Sequence, residues 1–171
     1  MTVHTTIDSP LGELLLVGEE PPTAGGPLAL TSLSMTGQKG AVQLRDGWRR
    51  DPAAFEAVAD QLRAYFAGEL KDFDVRLSTH GSDFQERVWH AIDTIAYGTT
   101  TSYGQLAEQI GAPRAAVRAV GSAIGANPLL ILRPCHRVIG ANGSLTGYAG
   151  GLERKEYLLS LEGARPATLL G

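Results

Sequence analysis

Cysteine is almost absent from this sequence, because Cys135 is the only one among 171 residues. A single thiol excludes an intramolecular disulfide and a cysteine-rich zinc site. The first residues of the chain form neither a basic segment nor an apolar one, so they show no secretion signal. A free thiol without such a signal fits a reducing compartment, and we expect a cytoplasmic protein.

Long apolar runs are missing as well. No segment approaches the roughly 20 apolar residues that a membrane-spanning helix needs, so we expect no membrane association. Hydrophobic residues make up 43% of the chain and charged residues 19%, which is ordinary for a globular protein with a real core. The length allows one domain or two small ones, and we find no internal repeat.

A net positive charge is also missing, since the chain carries −3 at pH 7. The charge is unevenly placed, however. Residues 1–79 hold 7 basic and 11 acidic side chains, whereas residues 114–155 hold six basic and one acidic. A local basic patch can attract a polyanion even on an acidic chain. Scattered solvated arginines explain the same numbers, so charge alone decides nothing.

The first part of the chain is predicted to be a small α+β unit. Turn residues at 8–12 between alternating segments predict a β-hairpin within residues 3–17. Residues 19–27 are rich in proline and glycine and predict a surface loop. Further strands are predicted at 28–33 and 73–77. This unit contains no group of residues that we can connect to chemistry, and we interpret it as a scaffold.

A helix is predicted in this unit at Asp51-Pro52. Asp51 is a good helix cap, and Pro52 suits the first turn. Apolar residues then recur at helical spacing as far as Phe66, and Gly68 is expected to end the helix.

A domain boundary is predicted between Ser78 and Gly81, which divides the chain into residues 1–79 and 80–171. Two capping boxes follow, at Ser82 with Gln85 and at Ser102 with Gln105, and each predicts the start of a helix. The first of these helices should end at Tyr97-Gly98.

The second helix should end at residues 111–113, and another should run from Arg114 to Ile124. Two short helices joined by a glycine-containing turn resemble a helix-turn-helix. Two ordinary packed helices fit the pattern equally well.

The last third of the chain mixes strand, turn and helix signals. Val138-Ile139 followed by Asn142-Gly143 predicts a hairpin or wing. A loop is expected at 146–151, followed by a terminal helix that ends near Gly163. The last eight residues are expected to form a loose tail.

Cys135 stands beside His136, and this pair suggests nucleophilic chemistry. A thiolate is the attacking species, and a neighbouring imidazole can help to form it. A lone cysteine is more often a buried small hydrophobic residue, so the pair by itself is weak evidence.

The residues around the pair carry a family resemblance. Asn127-Pro128 precedes Pro134-Cys135-His136-Arg137-Val138, and the segments 147–151 (Gly-Tyr-Ala-Gly-Gly) and 155–162 follow. In this order they resemble the O6-alkylguanine-DNA alkyltransferases over about residues 82–163. The acidic first part also resembles the RNase H-like domain of that family. The resemblance implies an α+β fold, with an RNase H-like α/β domain followed by a helical, winged helix-turn-helix-like domain.

The resemblance further implies direct repair of alkylated DNA. Cys135 would take the alkyl group from O6 of guanine, or from O4 of thymine, in duplex DNA, and each molecule would act once. His136 would activate the thiol through a bound water and Glu162 would orient His136. Asn127 would orient the active-site segment, and Tyr103 would help to protonate the guanine that leaves. From composition alone, Glu162 is a solvated acid at a helix end and Asn127 a helix cap.

Other residues correspond to the base pocket and to the DNA contacts of the family. Tyr148 would form a wall of the pocket, with backbone amides around Ala149 and Gly150 facing the base. Arg118 would enter the duplex when the base is flipped out, although a phosphate contact is its simpler role. The remaining expected contacts to DNA are Tyr103, Gly104, Gln85 and Ala119.

The chain departs from the family pattern at several positions. One extra residue lies between Gly111 and Arg118, so Arg114 competes with Arg118 for the role of the inserted arginine. Arg133 replaces a usual aliphatic residue, and Ala149 replaces a serine found in some members. The cysteines and histidines of zinc-bearing members are missing, so we expect no metal and no cofactor, and a monomer acting on DNA.

Two other functions compete with this interpretation. One is a non-catalytic relative that only binds alkylated DNA, which would not need Cys135. The other is a helix-turn-helix regulator, which would need neither the Cys-His pair nor Glu162. A cysteine hydrolase that turns over is a more distant alternative.

Overall fold

The computed structural model describes residues 1–164, so the predicted tail lies outside the described residues except for Ala164. The chain divides into two compact units, Met1–Thr79 and His80–Gly171. The first is built on a mixed sheet, and the second mainly on helices. In the described part of the chain, no helix combines the length and apolar character required to cross a bilayer.

The sheet of the first unit has five strands in the order β4-β1-β2-β3-β5. β1 pairs antiparallel with β2, and β2 with β3, whereas the two-residue edge strands pair in parallel. The predicted hairpin and third strand are therefore confirmed, but only the last two residues of the predicted strand at 73–77 are extended. The strands are β1 (Thr2–Ser9), β2 (Gly12–Glu19), β3 (Ala29–Met35), β4 (Arg49–Arg50) and β5 (Arg76–Leu77).

The helix of the first unit begins as predicted. A 3-10 turn, Pro52–Phe55, leads into α1 (Glu56–Phe66), and the Asp51 carboxylate accepts a hydrogen bond from the backbone N–H of Ala54. Gly68 adopts φ +78, which favours glycine, and the helix ends just before it. Phe55, Leu62 and Tyr65 on its inner face are fully buried, and each contributes roughly 1.5–3 kcal/mol of hydrophobic stabilisation.

The described residues of the second unit form four α-helices and a short parallel sheet. Both predicted capping boxes are formed, at the starts of the first two helices. The helices are α2 (Asp83–Ile92), α3 (Tyr103–Gln109), α4 (Val117–Gly125) and α5 (Leu152–Leu161), and the strands are β6 (Thr101–Ser102) and β7 (Val138–Ile139).

The predicted end of α2 at Tyr97-Gly98 is wrong, because the helix ends at Ile92. Short-range hydrogen bonds tighten the chain there, from the N–H of Thr94 to Ala91 and from that of Ile95 to Ile92. The carbonyl of Ile95 accepts a hydrogen bond from Arg137. The chain has thus left the α-helical hydrogen-bond pattern well before Tyr97.

The segment between α3 and α4 follows the prediction closely. Gly111 adopts φ +72 and breaks the chain after α3. The next helix begins at Arg114 as a 3-10 turn and becomes α-helical at Val117. α3 and α4 pack on each other through small and aliphatic side chains and leave the first turns of both helices accessible.

The hairpin predicted after Val138 is not formed as a pair of strands in the described residues. β7 pairs in parallel with β6 instead. The turn itself is present, since Gly143 adopts φ +84 and its N–H donates to the carbonyl of Gly140. The N–H of Gly140 in turn donates to Ser144, so a tight loop closes where a second strand would have to begin.

Candidate active site

A cavity of about 140 Å³ in the second unit has the only cysteine in its wall. Cys135 is only 3% exposed, so its sulfur is reached through the cavity rather than from open surface. Helices α3 and α4 and the loop before α5 supply the rest of the lining: Tyr103, Gly121, Ile124, Gly125, Gly147, Tyr148 and Ala149. The enclosed nucleophile makes this cavity the candidate active site.

The segment that carries Cys135 is buried and tightly turned. Every residue from Leu129 to Val138 is buried. Ile131 has φ 69 and is the only residue other than glycine with a positive φ in the described part of the chain. Such a conformation costs about 1–3 kcal/mol. It is held by hydrogen bonds from the N–H of Leu132 to Leu130 and from that of Arg133 to Leu129.

Asn127 links the end of α4 to the cysteine. Its Nδ2 donates to Sγ of Cys135 at 3.3 Å and to the carbonyl of Leu129 at 3.2 Å. Its Oδ1 accepts from the N–H of Leu129 and from Nη1 of Arg133. The amide is thus held from both sides, and the predicted orienting role of Asn127 has a geometric basis.

His136 lies next to Glu162, as the resemblance implied. Nε2 of His136 is 2.7 Å from Oε2 of Glu162, and both side chains are completely buried. An ionised carboxylate only accepts hydrogen bonds, so the network places the imidazole hydrogen on Nε2. Nδ1 is then a base, and it has no hydrogen-bond partner in residues 1–164.

Arg137 forms a bidentate ion pair with the Glu162 carboxylate. Its Nε and Nη2 donate to the two carboxylate oxygens at 2.7 and 3.1 Å, and its Nη1 donates to the carbonyl of Ile95 at 2.6 Å. The guanidinium also lies over the ring of Tyr97, at 5.6 Å from its centre. A bidentate pair of this kind is strong and directional.

Burial disfavours the charged forms of both Cys135 and His136. Burial raises the pKa of Cys135, while the hydrogen bond from Asn127 and the charges of Lys155 and Arg133 oppose that rise. Burial also lowers the pKa of His136, against the influence of Glu162. Burial therefore favours a thiol at the cavity wall and a neutral imidazole on the next residue.

Lys155 ties the loop before α5 to the strand next to the cysteine. Its Nζ donates to the carbonyls of Val138 at 2.6 Å and of Thr146 and Gly147 at 3.1 Å each. Burial lowers its pKa to about 8. This ammonium satisfies three carbonyls at once and holds the loop that forms one wall of the cavity.

The residues predicted for the base pocket come together, with one exception. Tyr103, Tyr148 and Ala149 line the cavity with Cys135, whereas Gly150 is buried outside its lining. The hydroxyl of Tyr103 accepts a hydrogen bond from Thr146, which leaves its own hydrogen available for donation.

The residues predicted to contact DNA are more scattered. Arg118, Ala119 and Gly104 are exposed on α4 and α3, whereas Gln85 is half-buried and forms part of a capping box. The competing Arg114 is also exposed and borders a groove of about 260 Å³ next to Gly104. Both arginines extend from accessible turns of the helix pair.

Sequence reasoning did not predict that three basic side chains, those of Arg133, Arg137 and Lys155, are buried. A signal was present for Arg133, which directly follows the apolar run 129–132, where a charged residue needs a buried partner.

Comparison with known proteins identifies both units. The family described as "6-O-methylguanine DNA methyltransferase, ribonuclease-like domain" matches residues 2–79, and the "DNA binding domain" of the same name matches residues 83–164. The predicted fold class, a ribonuclease-like unit followed by a DNA-binding unit, is thereby confirmed.

Relatives of similar length carry the same description. A methylated-DNA–protein-cysteine methyltransferase from Mycolicibacterium paratuberculosis is 55% identical over 95% of this chain and 93% of its own length. One from Methanosarcina acetivorans is 47% identical over 94% of this chain and 98% of its own. A crystal structure of Mycobacterium tuberculosis OGT in complex with DNA is 54% identical, has a TM-score of 0.82, and covers 98% of this chain and 97% of that one.

Proposed function

The chain belongs to the 6-O-methylguanine DNA methyltransferase family, and from this premise we propose that it repairs duplex DNA by transferring the alkyl group of O6-alkylguanine to Cys135. The observation that carries the proposal is the enclosed thiol with its two supports. Asn127 donates to Sγ, and His136, the next residue after Cys135, is paired with the buried Glu162 at the end of α5. O4-alkylthymine presents the same kind of alkyl–oxygen bond and is an expected second substrate.

The transfer begins with removal of the thiol proton. Nδ1 of His136 is a base without a partner, and the proton reaches it through a water between the two groups. Glu162 then stabilises the imidazolium, because its carboxylate accepts the hydrogen bond from Nε2, and Arg137 holds that carboxylate in place. The resting site keeps the thiol protonated until substrate arrives, which protects the only nucleophile.

The thiolate then displaces guanine from the alkyl carbon. A carbon–sulfur bond forms as the carbon–O6 bond breaks, and the bond electrons remain on guanine. Guanine needs a proton, and the hydroxyl of Tyr103 in the cavity wall has one to donate. The product is a thioether, whose sulfur has no easily broken bond. We therefore propose that each molecule reacts once.

The two units have different tasks in this proposal. Residues 80–171 bind DNA and carry out the transfer, whereas residues 1–79 are a scaffold. The alkylated base must leave the duplex to reach a buried sulfur, which costs a few kcal/mol. We propose that Arg118 fills its place, that Gly104, Ala119, Gln85 and Tyr103 contact the DNA, and that Tyr148 and the backbone at Ala149 and Gly150 bound the flipped base. The protein is expected to work as a cytoplasmic monomer without metal or cofactor.

The decisive experiment measures transfer directly. The protein is mixed with a duplex that carries O6-methylguanine, and the Cys135 peptide is weighed by mass spectrometry. The proposal requires one methyl group per protein molecule on Cys135, and none in Cys135→Ala. If the protein binds the duplex but Cys135 is not methylated, the protein is a non-catalytic DNA-binding relative. If it processes substrate over many turnovers with an unmodified cysteine, it is a hydrolase.

The role of Arg118 is tested separately. Arg118→Ala should slow repair of the duplex roughly tenfold or more, since the flipped state loses a contact that offsets a few kcal/mol of unstacking. Repair of the same base in a single strand, where no partner strand must be opened, should change little. Arg114→Ala is the matched control, and a larger defect in that variant would transfer the role to Arg114.

A further inference from the structure

Arg133 is a buried cation that the proposed reaction does not use. Its side chain is only 4% exposed, and it directly follows the apolar residues that lead to the active-site segment. A buried charge is costly unless it is paired and hydrogen-bonded. The two other basic side chains buried in the described chain have evident tasks, because Arg137 binds Glu162 and Lys155 binds three carbonyls.

Three groups surround the guanidinium of Arg133. Its face lies on the ring of Trp89, 5.2 Å from the centre, and Nε of Arg133 approaches Oδ1 of Asp93 at 3.4 Å. Nη1 donates to Oδ1 of Asn127 at 3.3 Å. Trp89 is itself anchored, since its Nε1 donates to the carbonyl of Ala123 at 2.8 Å. The planar guanidinium can satisfy stacking, ion pairing and hydrogen bonding at the same time.

The contact with Asn127 connects Arg133 to the sulfur of Cys135. The amide of Asn127 receives hydrogen bonds at Oδ1 and donates one from Nδ2 to Sγ of Cys135. A cationic donor at the oxygen draws electron density from the amide nitrogen, so the N–H becomes a stronger donor to sulfur. The sulfur becomes negative during the reaction, so the effect of the cation is larger on the thiolate than on the thiol.

We propose that Arg133 is a positioning residue that acts through Asn127. It holds the amide with Nδ2–H directed at Sγ, and it strengthens that hydrogen bond as the thiolate forms. Asp93 and Trp89 hold Arg133 in the required place. The consequence for alkyl transfer rests on the proposed function, whereas the effect on the thiol itself can be measured without DNA.

The test uses the full-length protein and iodoacetamide, which labels Cys135 as the only thiol. The labelling rate is followed from pH 7 to 10.5 in the wild-type protein and in Arg133→Met. The midpoint of the profile should rise by roughly half a unit to one unit, and labelling at pH 7.5 should slow about two- to fivefold. Repair of a duplex carrying O6-methylguanine should slow by a similar factor, with duplex affinity unchanged.

Two further variants separate a positioning role from general support of the fold. Arg133→Lys keeps the charge and should recover part of the midpoint shift. Asn127→Ala should remove the route through the amide and leave only the direct effect of the charge, so Arg133→Met should add a clearly smaller shift in that background. An unchanged midpoint in Arg133→Met, or equal shifts in both backgrounds, would overturn the proposal.

Folding of each variant is checked by thermal unfolding. If Arg133→Met does not fold, Arg133→Gln is compared with Arg133→Lys, and the proposal requires the larger shift for Gln. Equal shifts would contradict it. Failure of the wild-type protein to accept a methyl group from DNA would refute the proposed function, yet the iodoacetamide midpoints would still decide the role of Arg133.

Discussion

The two units of this protein bury different kinds of polar residue. The buried polar side chains of the first unit are hydroxyls on strands, those of Thr5, Ser32 and Ser34. Those of the second unit are an amide and ionisable groups. They belong to Asn127, Arg133, His136, Arg137, Lys155 and Glu162, and all have partners within one small region.

The kind of buried polar group distinguishes a scaffold from a reactive site. A buried hydroxyl can satisfy itself on a nearby carbonyl, whereas a buried charge costs several kcal/mol before its partners offset that cost. Replacing an ion pair by packed apolar residues is often neutral or stabilising, so a scaffold has no need of such pairs. Ionisable groups buried together beside a nucleophile indicate a functional site, and the first unit has no comparable group in its described residues.

Among substitutions of these buried ionisable groups, we expect that of Glu162 to cause the greatest loss of transfer rate and stability. Glu162→Gln should slow alkyl transfer by about 100- to 1000-fold, since the imidazolium of His136 loses its counterion. It should also lower the free energy of unfolding by about 3–5 kcal/mol, because Arg137 is left as an uncompensated buried charge. Single-turnover kinetics and urea denaturation measure the two effects, and duplex affinity should stay within twofold.

Glu156→Gln is the matched control for this change. Glu156 lies on α5, which ends directly before Glu162, and the substitution is identical, but Glu156 is only half-buried. Its transfer rate and stability should be those of the wild-type protein. A loss of duplex affinity as large as the loss of rate in Glu162→Gln would mean that Glu162 supports the fold rather than the reaction.

A core substitution in the first unit should lower the stability of the protein without changing the acidity of Cys135. Phe55→Ala empties a fully buried position and should lower the free energy of unfolding by about 3–5 kcal/mol. Under conditions where the variant is folded, the pH profile of Cys135 labelling should not move. Glu56→Ala, at an exposed neighbouring position, is the control for stability. A shifted labelling profile in Phe55→Ala would contradict the interpretation of residues 1–79 as a scaffold.

The smallest expected effect concerns the acidity of the wild-type thiol. Burial raises the pKa of Cys135 above its ordinary value of 9.0, so the thiol is protonated at neutral pH. Labelling by iodoacetamide should therefore rise about tenfold per pH unit between pH 7 and 8.5, because only the thiolate reacts. The midpoint should lie above that of the urea-unfolded protein. A folded-state midpoint below 9 would show that the surrounding cations outweigh burial.

Local signals in the sequence were sufficient for much of the fold. The hairpin, the two capping boxes and the end of α1 depend on residues within a few positions of one another, and all were predictable. The early end of α2 was not, because residues 93–97 contain no glycine or proline that would mark it. The same applies to β7, which pairs with β6 rather than with the residues that follow it.

The candidate site was also predictable from the sequence only in part. The Cys-His pair and its flanking motifs could be read directly, but the contact between His136 and Glu162 came from the family resemblance and not from spacing. The place of Arg133 after an apolar run indicated that it needs a buried partner, but not which one. Its partners Trp89, Asp93 and Asn127 lie on other segments, and only the folded chain brings them to one guanidinium.

The cysteine segment also has a consequence for partial unfolding of the second unit. Its side chains are held by partners distant in sequence: 40 residues separate Arg133 from Asp93, 42 separate Arg137 from Ile95, and 26 separate His136 from Glu162. Each of these contacts closes a long loop, so none of them can persist when the second unit unfolds locally. We therefore expect any state that keeps its helices but loses these contacts to contain a cysteine of ordinary acidity.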